Sequence, residues 1–229
     1  MKKLLAYLFA VLMMFSMAGC GEEPVPPTAP QTGGSAGQGT APVTTAPQAD
    51  PKAILGTLEG TTYTNQVAGL ICQLPDAFTY STAEELLTKN GLDAQEGQDA
   101  LLAMAGNHQP VHVMYAMNPQ TKENIVVTVQ RATEAELAAM DIQADFQAQI
   151  PGEISSYEQM GLTNVQCKYT QLTVSEKPLD ALVLTGDYSG QQIASVTGAY
   201  KTNTCLVTLT LAGTDVQSLE QLLASIVVA

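Results

Sequence analysis

Between Ile54 and Ala229 the apolar positions change period in blocks, from two residues to between three and four and back again. Tyr63 to Leu74 reads as a hairpin whose second strand sets Leu70, Cys72 and Leu74 on one face and stops at Pro75. A helix is expected from Ser81, with Ser81 and Glu84 as a capping box and Gly91 as its stop, followed by a weaker helix over Ala94–Met104. Strands then fall at Val111–Met117 and Ile125–Gln130, joined by the turn-rich segment 118–124. Val111, Val113 and Tyr115 share one face of the first, and Ile125, Val127 and Val129 one face of the second. Thr133 with Glu136 opens a further helix carrying Leu137, Met140 and Phe146. Pro151-Gly152 is expected to break it, with a short helix resuming to Met160.

The rest of the domain predicts four strands near 164–174, 181–188, 192–200 and 204–211, with turns at Ser189-Gly190 and Thr202-Asn203. The last alternates: Cys205, Val207, Leu209 and Leu211 point one way, Leu206, Thr208 and Thr210 the other, as in a half-buried antiparallel strand. A final helix from Thr214 presents Val216, Leu219, Leu222, Leu223 and Ile226 on one stripe. This is the order of an α+β domain built on an antiparallel sheet.

The start of the chain has another character. Met1-Lys2-Lys3 precedes an apolar run from Leu4 to Met17, broken only by Ser16 and ending Met17-Ala18-Gly19-Cys20. A positive start, an apolar centre and small residues before a cut site make residues 1–19 a secretory signal. The run is shorter than the roughly 20 apolar residues of a membrane span. Its end resembles the lipobox of bacterial lipoproteins, with Met17 in place of the usual Leu. That resemblance implies cleavage before Cys20, a diacylglyceryl group on the Cys20 sulfur, and lipid anchoring on the extracytoplasmic face of the cell membrane. Two acyl chains hold stably where one binds marginally, at about 0.8 kcal/mol per buried methylene.

Residues 20–52 are rich in Pro, Gly, Thr, Ala and Gln, a composition that cannot bury enough apolar surface to fold. They are expected to form a tether of about 30 Å as a flexible coil, or about 90 Å as extended polyproline II. The Gly-rich stretch 33–40 lacks the lysine, preceding strand and following helix of a phosphate loop. Residues 53–229 then form one globular domain.

Charge narrows the partners. The formal net charge is -13, and removing Lys2 and Lys3 with the signal leaves seven basic residues against 22 acidic. Nucleic-acid binding needs Lys and Arg against phosphate, and no basic patch exists here. A protein partner remains open. Apart from Cys20, the cysteines are Cys72, Cys167 and Cys205, an odd number without C-x-x-C spacing. Buried free thiols are expected, with a Cys72–Cys205 disulfide as the alternative.

Tyr63-Thr64-Asn65, then Gly69-Leu70, then Leu74-Pro75 with Phe78 close behind, resemble small lipoproteins of Gram-positive anaerobes whose domains are PsbP-like. Leu70 and Phe78 stand where that family carries larger aromatics. The resemblance implies an antiparallel sheet flanked by helices, an α/β/α sandwich, and relatives that bind and assemble rather than catalyse. It carries no catalytic residue onto this chain.

Independent reading of the residues agrees. His108 and His112 flank Pro110, so they cannot share a helix turn, and four strand residues span about 13 Å, too far for one ion. They are expected to be loop and surface histidines. Ser175-Glu176-Lys177 reads as a turn before Pro178 rather than a Ser-Lys dyad. Glu84-Glu85 and Glu134/Glu136 read as helix-start carboxylates favoured by the dipole. Met114 and Met117 fall on opposite faces of their strand, and Tyr157, Tyr188 and Tyr200 read as core or sheet-face residues rather than sugar platforms. No catalytic residue, cofactor or metal is expected. The function expected is a tethered binding or assembly module, with an enzyme or a small-ligand carrier as alternatives.

Overall fold

The computed structural model describes residues 51–93 and 95–228. The signal, Cys20 and almost all of the tether lie outside the described residues. Among the described residues, two antiparallel sheets and five α-helices make an α+β fold.

The larger sheet has seven strands in the order β4-β5-β6-β10-β9-β8-β7. They span Thr79–Tyr80 (β4), Val111–Met117 (β5), Asn124–Arg131 (β6), Thr163–Val174 (β7), Lys177–Tyr188 (β8), Gln191–Lys201 (β9) and Cys205–Gly213 (β10). The predicted four-strand meander is β7 to β10. The smaller sheet runs β1-β2-β3-β11, from Thr57–Glu59 (β1), Thr62–Asn65 (β2), Leu70–Gln73 (β3) and Ile226–Val228 (β11). The helices are Ala83–Lys89 (α1), Gly97–Gly106 (α2), Glu134–Ala139 (α3), Ile142–Gln159 (α4) and Val216–Leu223 (α5).

One face of the large sheet builds the main core. Val111, Val127, Val129, Val183, Val196, Val207, Leu209 and Leu211 meet Leu70, Cys72 and Ile226 of the small sheet, with Leu87, Leu101 and Leu219 from α1, α2 and α5. The expected stripe of β10 is here, but β10 is not half-buried. It lies between β6 and β9, and Thr208 and Thr210 on its other face are buried too. On that second face α4 lies along β7 and β8, while Lys201 Nζ donates to the carbonyls of Leu137 and Met140 at the end of α3, both at 2.9 Å. A cation at a helix C-terminus meets the negative end of the dipole.

Several boundaries differ from the sequence reading, each for a local reason. Thr82 and Glu85, not Ser81 and Glu84, form the first capping box; both pairs carry the same spacing, and Ser81 N–H is instead bonded to Tyr115 O across the sheet edge at 2.9 Å. Thr133 and Glu136 cap α3 as expected. Pro151-Gly152 does not break α4. Both are exposed, as is Gln147, whose carbonyl Pro151 leaves without its helical donor, while Phe146 and Tyr157, three turns apart, bury one face on either side. The break comes earlier, where Met140 turns extended and Asp141 caps a new helix through Ala144 N–H at 3.0 Å. Ile226 continues the α5 stripe in sequence, but α5 ends at Leu223 and Ile226 pairs with Cys72 in β11.

The described residues open with a short 3-10 helix, Pro51–Leu55, whose Ile54 is fully buried in the main core. Asn65 holds that helix. Its Nδ2 donates to Ile54 O at 2.7 Å and to the Tyr63 hydroxyl at 3.0 Å, and its Oδ1 accepts from Ala68 N–H at 2.9 Å. Tyr63 OH donates onward to Leu55 O at 3.0 Å, and Tyr200 OH reaches Ala68 O at 2.8 Å. The Tyr63-Thr64-Asn65 signature is thus a polar clamp joining the Pro51–Leu55 helix, the small sheet and β9.

Candidate functional site

The most chemically distinctive group of side chains gathers at the β5 margin of the second face, and a β-bulge assembles it. The register of β5 on β6 shifts between His112 and Met114. Val111, Val113, Met114 and Ala116 all enter the main core, and His112, Tyr115 and Met117 are left on the second face. Without the extra residue His112 and Tyr115 would point to opposite sides. The expected sharing of one face by Val111, Val113 and Tyr115 therefore fails at Tyr115.

Cross-strand pairs share a face, so the register maps the neighbours. His112 pairs with Thr128, which pairs with Thr208, which pairs with Ala199. One step along, Tyr115 pairs with Val126, Val126 with Thr210, and Thr210 with Thr197. The floor of this face is thus rich in hydroxyls where the opposite face carries Val and Leu. His112 Nδ1 and Thr128 Oγ1 share a hydrogen bond of 2.9 Å. Asn90, just past α1, pins the bulge. Its Oδ1 accepts from His112 N–H at 2.8 Å and its Nδ2 donates to His112 O at 2.9 Å. Lys89, one residue earlier, places Nζ 3.6 Å from the centre of the Tyr115 ring, a close cation–π contact.

The electrostatics follow from this crowding. Burial, and then the Lys89 charge, push His112 down to about 4, so its imidazole is neutral at physiological pH. Burial lowers Lys89, with Glu85 opposing the shift. The Glu85 carboxylate itself accepts from Thr82 N–H at 2.8 Å. His112 is therefore half-buried and bonded, not the surface histidine expected; His108 is exposed, with Nδ1 3.8 Å from Glu136 Oε2.

This makes a pH prediction. The unfolded chain protonates His112 near 6.5, whereas the folded chain resists until about 4. The unfolded state binds more protons in that window, so stability should fall as pH drops from 6.5 to 4, by on the order of 2–3 kcal/mol. Glu153, raised by burial, works in the opposite sense. Urea melts of wild type and His112→Gln at pH 7, 5.5 and 4.5 isolate the His112 part. The wild-type curve should steepen relative to the variant; parallel curves would remove the assignment.

The other candidates are placed elsewhere. Ser175 Oγ donates to Ile226 O at 3.1 Å, tying the β7–β8 turn to the edge of β11. Cys72, Cys167 and Cys205 are free thiols, so the Cys72–Cys205 alternative is not formed. Burial pushes Cys72 up to about 12 and Cys167 up to about 11. Tyr157 lies on the buried face of α4 and is bonded to Ser195, and Tyr200 is bonded to Ala68 O. Glu84, Glu85, Glu134 and Glu136 do occupy helix first turns. Among the described residues no three His, Cys, Asp or Glu are placed to hold a metal ion, and no helix is long and apolar enough to cross a membrane.

No protein-family model matches the chain, and no curated protein matches it. Among solved structures, a protein of Bacteroides thetaiotaomicron VPI-5482 is 10% identical at a TM-score of 0.40, covering 75% of this chain and 49% of that one. This chain thus spans about half the length of the Bacteroides protein. LpqN of Mycobacterium tuberculosis, involved in cell envelope biogenesis, is 12% identical at a TM-score of 0.37, covering 68% of this chain and 76% of that one. These two structures come from bacteria, and at these scores the likeness carries no argument.

Proposed function

We propose that this chain is an extracytoplasmic lipoprotein, held to the cell membrane by a lipid on Cys20, whose domain binds rather than catalyses. The order of signal, Cys20 and Pro-rich tether carries the reading. The tether delivers the domain some tens of ångströms from the bilayer, and the Asn65 clamp grips the segment where the tether ends. Three side chains with nucleophilic atoms are engaged or held protonated. Ser175 latches a turn, and raised thiols stay protonated and unreactive at neutral pH. A protein partner of an assembly is the first reading; a PsbP-like relationship belongs with it.

A small-ligand reading is favoured by one observation, the bulge that brings His112 and Tyr115 together beside Lys89. Photo-crosslinking residues at exposed Glu84, Gln95 and Gln147, in the lipidated full chain on intact cells, separate the two. A protein partner predicts a discrete adduct from one face, lost in Cys20→Ser. No adduct from any position, or the same diffuse adducts from all three, would contradict the assembly reading and leave the small-ligand one.

A further inference from the structure

We infer that the open edge of β7 takes up an extended segment of a protein partner as an added β-strand, with a Lys or Arg of that segment set against Glu153. The inference rests on the protein-partner reading above and names where the partner lies and what it carries.

A sheet edge offers unpaired backbone N–H and C=O groups to any passing strand, and proteins blunt their edges accordingly. Among the described residues three of the four edges are short. β4 has two residues, and β1 and β11 have three each. At β11 the Ser175 hydroxyl also bonds Ile226 O and Val228 N–H, at 3.1 and 3.4 Å. β7 is the exception. It ends the large sheet with twelve residues, holds no proline, and pairs with β8 on one side only.

The turn after β7 fixes which backbone groups face outward. Ser175 and Glu176 form a two-residue turn with φ of 51° and 65°, so Val174 and Lys177 on either side of it exchange the first pair of backbone bonds. Pro178, opposite Thr173, has no N–H to exchange, in keeping with that phase. Alternation then turns the N–H and C=O of Cys167, Tyr169 and Gln171 away from β8. Main-chain bonds to such a row give a strand-adding partner its affinity, and alternate side chains give it specificity.

Charge selects the side chains. Residues paired across the new seam share a face, so those opposite Cys167 and Tyr169 lie on the α4 side of the sheet. The charges felt there are acidic: Glu153 of α4 at Cys167, and Asp180 and Asp141 at Tyr169. Glu153 is half-buried, and no cation opposes the upward push of burial on its carboxyl. Lys168 sits on the opposite face, across from Val183. Lys201 lies two strands in, engaged by the Leu137 and Met140 carbonyls. A second copy of β7 in antiparallel pairing would set its own Cys167, Tyr169 and Gln171 into this seam and bring a second Glu153 with them. A partner strand with a basic residue there supplies the missing countercharge.

The test uses the full chain, extracted from membranes in detergent and labelled with nitrogen-15. The probes are short blocked peptides alternating Val with Lys, the same with Glu for Lys, and two N-methylated forms of the Lys peptide, one methylated at every Lys and one at every Val. The Lys peptide should bind saturably and slow the amide exchange of Cys167, Tyr169 and Gln171. Methylation at Lys removes the donors that would face β7 and should weaken binding at least about tenfold, whereas methylation at Val should leave it nearly intact. Gln171→Pro removes one outward N–H without touching the β8 ladder and should weaken binding, with the Lys168 and Thr170 amides still protected as proof of folding. Glu153→Gln should narrow the preference for the Lys over the Glu peptide about threefold. No saturable binding, equal binding of the two methylated forms, or equal binding of the Lys and Glu peptides overturns the inference. So does slow exchange at Cys167, Tyr169 and Gln171 before any peptide is added, which would mean that this chain or a second copy already covers the edge. On intact cells a photo-crosslinking residue at exposed Lys168 should give an adduct that is lost in Gln171→Pro. A discrete adduct from Glu84 with none from position 168 would keep the protein-partner reading and overturn this one.

Discussion

Asn65→Ala is expected to lower the free energy of unfolding by about 3–5 kcal/mol, a large part of the 5–15 kcal/mol typical of a domain. The side chain is fully buried and makes three bonds, to Ile54 O, Tyr63 OH and Ala68 N–H. Truncation leaves a buried carbonyl and a buried amide without partners, at about 1–3 kcal/mol each. Asn65→Asp is expected to be at least as damaging. It keeps the acceptor for Ala68 but turns a carboxylate toward the Ile54 carbonyl, where a donor is required. Urea denaturation of the two variants and wild type, read by circular dichroism, checks the order. A loss below about 1 kcal/mol for Asn65→Ala would mean that the clamp contributes little.

Gly56→Ala should be comparably severe, for a different reason at the same place. Gly56 adopts a φ of +68°, and a Cβ built there falls 2.6 Å from the Tyr63 hydroxyl and 2.7 Å from Thr64 O. The left-handed backbone alone costs a side chain about 1–2 kcal/mol. The clash with backbone oxygen cannot be relieved by a rotamer change, so a total near 3 kcal/mol or more is expected. Gly60 supplies the control, with a similar φ of +60° and nothing within 4 Å of its Cβ. Gly60→Ala should therefore show the backbone part only. Equal losses at the two glycines would show that the contact with Tyr63 and Thr64 is immaterial. Because Gly56 and Asn65 both act through Tyr63, the double variant should lose less than the sum.

Much of this architecture could be read from periodicity and caps. The β7–β10 meander and the Thr133–Glu136 box join neighbouring segments, where local preference decides. Misreadings came where two local answers were equally good or where packing overruled them. Segment 111–117 has apolar residues in both strand phases, Val111 and Val113 in one, Met114 and Ala116 in the other. Only pairing with β6 reveals the bulge that admits both sets to the core. Ile226 suits the α5 stripe and the β11 strand alike, and Cys72 across the small sheet decides for the strand. The site was hidden for the same reason. Lys89 and Tyr115 are 26 positions apart, and neither carries a motif; it takes the end of α1 against the bulged β5 to stack them. His112 was visible as a chemistry-bearing residue, but its burial and its bond to Thr128 depend on strand register.

Placement outside the cytoplasm, on a lipid, is the claim from which the functional reading descends, and the intact mass of the native chain from its membrane fraction tests it most directly. The account predicts a polypeptide beginning at Cys20 with a diacylglyceryl adduct on that residue, and a Cys20→Ser chain that leaves the membrane fraction. A native chain that still begins at Met1, an unmodified Cys20 sulfur, or a Cys20→Ser chain that partitions like wild type would contradict it.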